Sequence, residues 1–313
     1  MTKAARGLLY GVLAYLLWGL FPLFWPLLEP ASPLEILAIR IVFSLAVVAI
    51  LLAARKQLRG LRRLDKRTLW RLCIAGTLIA VNWGAYIWGV NNAHVVETSL
   101  GYFINPLISI GLGVLVLRER LRGAQWAAVA LGAVAVGVLT VDYGRLPWLA
   151  LLLAISFGIY GFIKKGTRAS APEGLFVEAV ALTLPALAVL AVLAVSSTAT
   201  WVGHDATAGH LLLLAAAGPV TAVPLLFFAG AARRLPLTTL GLLQYLAPVL
   251  QFAIGVLIRH EPMPPARLGG FALVWIALAI LTVDAFRHRR SVPNAVAELE
   301  VTELVGAGES VAT

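Results

Sequence analysis

Apolar residues run along this chain in blocks of about twenty, and arginine, lysine, glycine and proline gather in the short stretches between them. A helix of about twenty residues is the length needed to cross a hydrocarbon layer of roughly 30 Å. Ten such blocks stand out, near residues 7–28, 34–54, 72–92, 97–117, 124–141, 146–163, 173–195, 210–231, 237–258 and 266–285. The pattern predicts an all-α integral membrane protein of ten transmembrane helices with no room for a soluble domain. The first block is long, carries Trp18, Pro22, Trp25 and Pro26, and has no small-residue cleavage pattern after it, so it reads as a retained helix. From 291 to 313 the chain carries Pro293, Glu298, Glu300, Glu303 and Glu309 with no aromatic residue, which predicts a disordered acidic tail.

Composition sharpens the class. Of 313 residues 60% are hydrophobic and 13% charged, about half the charged share of a soluble domain, which excludes a soluble enzyme and a disordered chain. A single cysteine, Cys73, excludes a disulfide framework and a cysteine-rich metal site. The net charge of +10 invites a nucleic-acid reading until its distribution is examined. With the N-terminus inside, twenty-one of the twenty-five lysines and arginines fall on the cytoplasmic side, eight of them between 55 and 71. That is the positive-inside signature of membrane orientation. It predicts a multi-pass protein of the cytoplasmic membrane, both termini cytoplasmic, with no nucleic-acid partner.

The chain also repeats itself. A shift of 142 residues lays Leu139-Thr140-Val141-Asp142 on Leu281-Thr282-Val283-Asp284, Pro106 on Pro248, Gly76 on Gly218 and Glu119 on Glu261. Two five-helix halves follow, 1–142 and 143–290. Because five is odd, the second must enter the membrane in the opposite sense, the inverted repeat on which alternating access is built. Self-contained repeats of this kind predict a functional monomer.

Polar groups at membrane depth face a cavity or a neighbouring helix. Asn82 and Tyr86 lie four residues apart with Trp83 beside them, and each lines a cavity or bonds between helices. Glu97, Gly101 and Asn105 descend one side of the fourth block. Glu97 is a candidate for proton coupling or for capping a helix end, and Arg40 for a substrate anion or a structural pair. Pro22, Pro106, Pro224 and Pro248 are candidate helix kinks, since a proline cannot bond the carbonyl four residues back. No phosphate-binding loop, zinc helix or dense aspartate cluster occurs. The sequence thus calls for no metal and no cofactor, and offers no clear catalytic set.

The segments 15–22 and 82–92, the run Ser99-Leu100-Gly101-Tyr102-Phe103-Ile104-Asn105-Pro106-Leu107, Ser156-Phe157 with Tyr160-Gly161, Val223-Pro224-Leu225-Leu226, and Leu240-Gly241 with Gln244-Tyr245 together resemble the EamA family of the drug/metabolite transporter superfamily over about residues 7–290. The resemblance implies ten helices in two inverted repeats around a central cavity, and carriage of small metabolites such as amino acids, nucleotide sugars or drugs. It places Trp18, Asn82, Trp83, Tyr86, Tyr102, Asn105, Tyr160, Gln244 and Tyr245 on the cavity wall. Phe43-Ser44 departs from the family's frequent Trp-Ser but keeps an aromatic ring. The expected function is a permease moving a small amphipathic or aromatic metabolite or drug. The alternative is a non-transporting membrane protein, either an enzyme acting on lipid-linked substrate or an accessory subunit.

Overall fold

The computed structural model describes residues 2–309 apart from 119, 166, 168, 203–205 and 233, so Glu119, Arg168 and Arg233 lie outside the described residues. Among the described residues the chain is helical throughout, without strands. The elements are α1 (Lys3–Gly19), α2 (Phe21–Phe24) running into a 3-10 turn (Trp25–Leu28), α3 (Pro33–Ala54), α4 (Leu58–Leu61), α5 (Lys66–Asn91), α6 (Val95–Leu117), α7 (Gly123–Tyr143), α8 (Trp148–Lys165), α9 (Ala171–Val195), α10 (Ala208–Ala232), α11 (Leu237–Leu243), α12 (Leu246–Ala253), a π-helical turn (Ile254–Ile258) and α13 (Pro265–Glu309).

Each apolar block of the sequence falls on helix. Among the described residues eight helices are long and apolar enough to cross a membrane; Lys3–Gly19 and Phe21–Leu28 pass only together, bent by 42°, and Trp148–Lys164 is apolar but shorter. Several starts are set by local chemistry. Ser32 accepts the Glu35 N–H just ahead of Pro33, and Ser170 with Glu173 forms a capping box at α9, each satisfying N–H groups that have no carbonyl four residues back.

The prolines act unequally. Pro22 sits at the bend that ends α1, and Pro248 lies in the first turn of α12, just after the break at Gln244 and Tyr245. Pro106 and Pro224 lie inside α6 and α10, whose helical run continues past them. One lost backbone bond is tolerated where neighbouring helices hold the segment. Helix α13 runs on to Glu309, and residues 310–313 lie outside the described residues.

The principal packing surfaces join helices that precede residue 142 to helices that follow it: α7 with α13, α6 with α8, α3 with α9 and α10, α1 with α10, and α5 with α8. Small residues allow the approach. A Cβ on Gly101 would come within 2.8 Å of the Ala150 carbonyl oxygen, and one on Gly218 within 2.7 Å of the Phe43 backbone carbon. Antiparallel α7 and α13 are clamped at both ends. Asp284 bonds Arg122 at the start of α7, and Asp142 bonds Arg267 at the start of α13, at 2.8 Å. The two aspartates are the last residues of the repeated tetrapeptide.

Candidate functional site

Arg40 stands about two turns into α3 and is 2% exposed. Its guanidinium carbon lies 3.9 Å from the ring centre of Trp83, 4.9 Å from Trp25 and 5.8 Å from Phe21. A guanidinium is weakly hydrated and stacks well on aromatic faces, so this box supports a buried cation without a carboxylate. Nε donates to Thr221 Oγ1 on α10 at 2.7 Å. Nη1 is buried and has no partner. The phenols of Tyr102 and Tyr86 stand close enough to feel the charge, and the Tyr86 hydroxyl is itself buried and unpartnered.

Asn82, one residue before Trp83, is fully buried. Its amide nitrogen donates to the Leu153 carbonyl and to Ser156 Oγ, both at 2.9 Å, and its oxygen accepts the Tyr102 hydroxyl at 3.3 Å. The bonds to α8 hold the amide whose oxygen accepts from Tyr102. From there the rings form a ladder: Tyr86 to Tyr102 at 5.6 Å, Tyr102 to Phe157 at 6.1 Å and Phe157 to Tyr160 at 5.9 Å between centroids. Asn105 faces Gly158 of α8 and holds a buried, unpartnered Oδ1.

The structure thus gathers Arg40, Asn82, Trp83, Tyr86 and Tyr102, with Trp18 packed on the same core against Tyr15 and Phe228. Tyr160 lies at the far end of the ladder, where its hydroxyl donates to Glu178 at 3.4 Å, while Lys164 donates to the same carboxylate at 2.5 Å. Gln244 and Tyr245 occupy the break between α11 and α12, and Tyr245 packs in the second core around Phe271. Glu97 is 1% exposed and paired: Arg145 donates to it at 2.7 Å, and the Leu149 N–H at the start of α8 at 3.3 Å. That hydrogen bond raises the pKa of Arg145 above its usual range.

Two polar positions were missed in the sequence. Glu178 is 1% exposed two turns into α9, and Gln251 is 3% exposed, donating to the Trp18 carbonyl while its Oε1 has no partner. An ionisable or amide side chain inside an apolar block was the available signal. Glu261, which the sequence marks as a structural residue at a helix end, caps α6. Among the described residues, no group of three or more His, Cys, Asp or Glu is placed to hold a metal ion.

Comparison with known proteins now decides the family. The model of the EamA-like transporter family matches residues 5–141. A protein named RarD from Streptomyces exfoliatus is 57% identical over 291 residues, covering 92% of each chain. The chain belongs to the EamA family. Other relatives of this EamA-family chain include an uncharacterized transporter of Vibrio cholerae, 39% identical over 91% of this chain and 94% of that one. RarD of Escherichia coli is 39% identical over 92% and 97%. A solved crystal structure aligns with a TM-score of 0.58 at 21% identity, covering 90% of this chain and 99% of that one, which shows a shared fold. The EamA-family chain is a multi-pass membrane transporter of the drug/metabolite transporter type.

Proposed function

We propose that this EamA-family protein is a secondary carrier of the cytoplasmic membrane that moves a small aromatic or amphipathic metabolite bearing an anionic group. In this reading ten spans form two inverted five-helix halves that alternate access between the two sides, with both termini in the cytoplasm and one chain sufficient. The reciprocal Arg–Asp clamps at the two ends of α7 and α13 support an inverted pairing, because the same tetrapeptide supplies the aspartate at each end.

The observation that carries the substrate reading is the Arg40 guanidinium, buried among aromatic rings with one nitrogen free of any partner, while the Tyr86 hydroxyl, near enough to interact with its charge, is unpartnered too. Unpartnered buried donors are costly, and a carboxylate would satisfy both while its apolar body stacks on Trp83 and Tyr102. The ladder to Tyr160 offers successive ring faces along which such a body can step. Glu97, tied to Arg145, serves to hold α6 to α8. Thermal-shift measurement on the purified chain tests the reading, since a ligand stabilises by RT ln(1 + [L]/Kd). Aromatic carboxylates are expected to raise the midpoint, their amine analogues are not, and Arg40→Gln removes the effect. Equal stabilisation by both classes would defeat the anionic assignment.

A further inference from the structure

The outward face of α5 has the pattern of a helix that meets lipid. Leu72, Ala75, Ile79, Asn82 and Tyr86 are buried on one side. On the other, Trp70 is 69% exposed and is followed by Ile74, Thr77, Val81 and Trp88, all exposed. Steps of three, four and seven residues keep these five on one stripe. Thr77 turns its hydroxyl back to the Cys73 carbonyl at 3.2 Å, so it faces outward with its donor satisfied. Trp70 and Trp88 are eighteen residues apart, which is about five turns and about 27 Å of helix. That is close to the depth of a hydrocarbon layer, so the two indoles mark its two interfaces.

Lys66 and Arg67 lie one turn ahead of Trp70 on the same face, and both are exposed. They stand at the depth where the phosphates of a leaflet begin. Neither enters an ion pair or a side-chain hydrogen bond among the described residues. The nearby acids are occupied: Asp65, just ahead of α5, is itself engaged, and Glu173, whose carboxylate lies against Gly60 of α4, closes the capping box with Ser170. Arg55, Lys56, Arg62 and Arg63 are exposed in the preceding connection and widen the positive field, but of these cations Lys66 and Arg67 are the two that share a face with the apolar stripe. Helix α7 offers a contrast. Arg122 stands four residues ahead of Trp126, which is 59% exposed, yet that guanidinium is already held by Asp284.

We propose that Lys66, Arg67 and Trp70 form a site for one anionic phospholipid, whose phosphodiester lies between the two cations while an acyl chain runs along Ile74, Thr77 and Val81. Charge complementarity selects the occupant. An unpaired lysine and arginine at headgroup depth attract a lipid of net negative charge, whereas the ammonium of a zwitterionic lipid cancels its phosphate. The stripe adds contact with the acyl chain, which a soluble phosphodiester of the same headgroup lacks. A bound lipid pins the start of the helix that carries Asn82, Trp83 and Tyr86 further along. An effect of that lipid on transport rests on the carrier reading; the lipid site itself does not.

Its test needs no transported solute. Native mass spectrometry of the full chain, purified in detergent and held at one salt concentration, measures binding of phosphatidylglycerol, of phosphatidylcholine with the same chains, and of glycerophosphoglycerol, the first headgroup without chains. Each lysine or arginine near an anionic lipid contributes about fivefold. The first phosphatidylglycerol is therefore expected to bind at least about tenfold tighter than phosphatidylcholine, and Lys66→Gln with Arg67→Gln should cut that ratio at least about fivefold. Lys3→Gln with Arg6→Gln, the same loss of charge at two exposed residues of α1, should keep the ratio, as should the charge-preserving Lys66→Arg with Arg67→Lys. Trp70→Ala should weaken the first phosphatidylglycerol, and Trp126→Ala should not. Monodispersity on size exclusion identifies a variant that fails to fold; Lys66→Gln and Arg67→Gln singly, each lowering the ratio about three- to fivefold, then decide. The site is overturned by a parent without preference, by a ratio unchanged in the glutamine variants, by an equal loss in the Lys3 and Arg6 variant, by Trp126→Ala costing as much as Trp70→Ala, or by glycerophosphoglycerol binding as tightly as the lipid. Absence of counterflow with the lipid preference intact would sink only the carrier reading.

Discussion

Replacing Glu261 by alanine removes the carboxylate that holds the start of α6. Val95 and Val96 open that helix, and no carbonyl in the preceding turn serves their N–H groups; they donate to the two oxygens of Glu261 at 2.5 and 2.8 Å. Glu261 follows the π-helical turn and is 9% exposed, so the bonds are largely shielded from water. A hydrogen bond to a charged acceptor contributes about 1.5 to 3 kcal/mol, and a negative charge at a helix start adds up to about 1 kcal/mol. Water entering after truncation recovers part of this, which leaves about 3 to 5 kcal/mol for Glu261→Ala. At about 2 to 4 °C per kcal/mol, the apparent midpoint in detergent, read at one scan rate for every variant, should fall by about 6 to 20 °C. Glu261→Gln keeps one acceptor and should fall about half as far. A midpoint for Glu261→Ala within about 2 °C of the parent would refute the cross-half cap.

Other consequences are equally direct. Gly218→Ala and Gly101→Ala should destabilise strongly, because the added carbon meets the backbone of α3 or α8; Gly111→Ala, with nothing within 4 Å, should be neutral or gain up to about 1 kcal/mol, and thermal midpoints rank the three. Charge reversal at Asp142 alone should destabilise more than Asp142→Arg combined with Arg267→Asp, a double-variant rescue that would be missing if the pair at 2.8 Å carried no energy. Tyr102→Phe should leave stability within about 1 kcal/mol, given one bond at 3.3 Å, while weakening aromatic ligands measurably in the thermal-shift assay. Asn82→Ala, which leaves the Leu153 carbonyl and Ser156 without its amide, should cost about 1 to 3 kcal/mol.

The helices were legible because a span is a local property, and block length and polarity mark it without knowledge of neighbours. Each apolar block became helix, and the break at Gln244 was already marked by Pro248. At the site, the four-residue step from Asn82 to Tyr86 correctly put both on one face. What Asn82 bonds, 71 and 74 residues away, is a matter of helix pairing that no local pattern contains. Arg40 was read as a cation that binds a substrate anion or makes a structural pair, but its aromatic box draws on α2, the following turn and α5. Glu97 was read for both coupling and capping, and Arg145 is the partner that favours the cap.

The central claim is that this chain alone carries an anionic aromatic or amphipathic solute through a site centred on Arg40. Counterflow in vesicles containing only the purified chain measures that directly. Vesicles are loaded with the aromatic carboxylate that stabilises the protein best and diluted into radiolabelled solute. The account predicts transient tracer accumulation in the parent, none in Arg40→Gln, and retained accumulation in Lys164→Gln, whose charge lies at the far end of the aromatic ladder. Absence of counterflow for every stabilising ligand, or equal counterflow in Arg40→Gln, would contradict it.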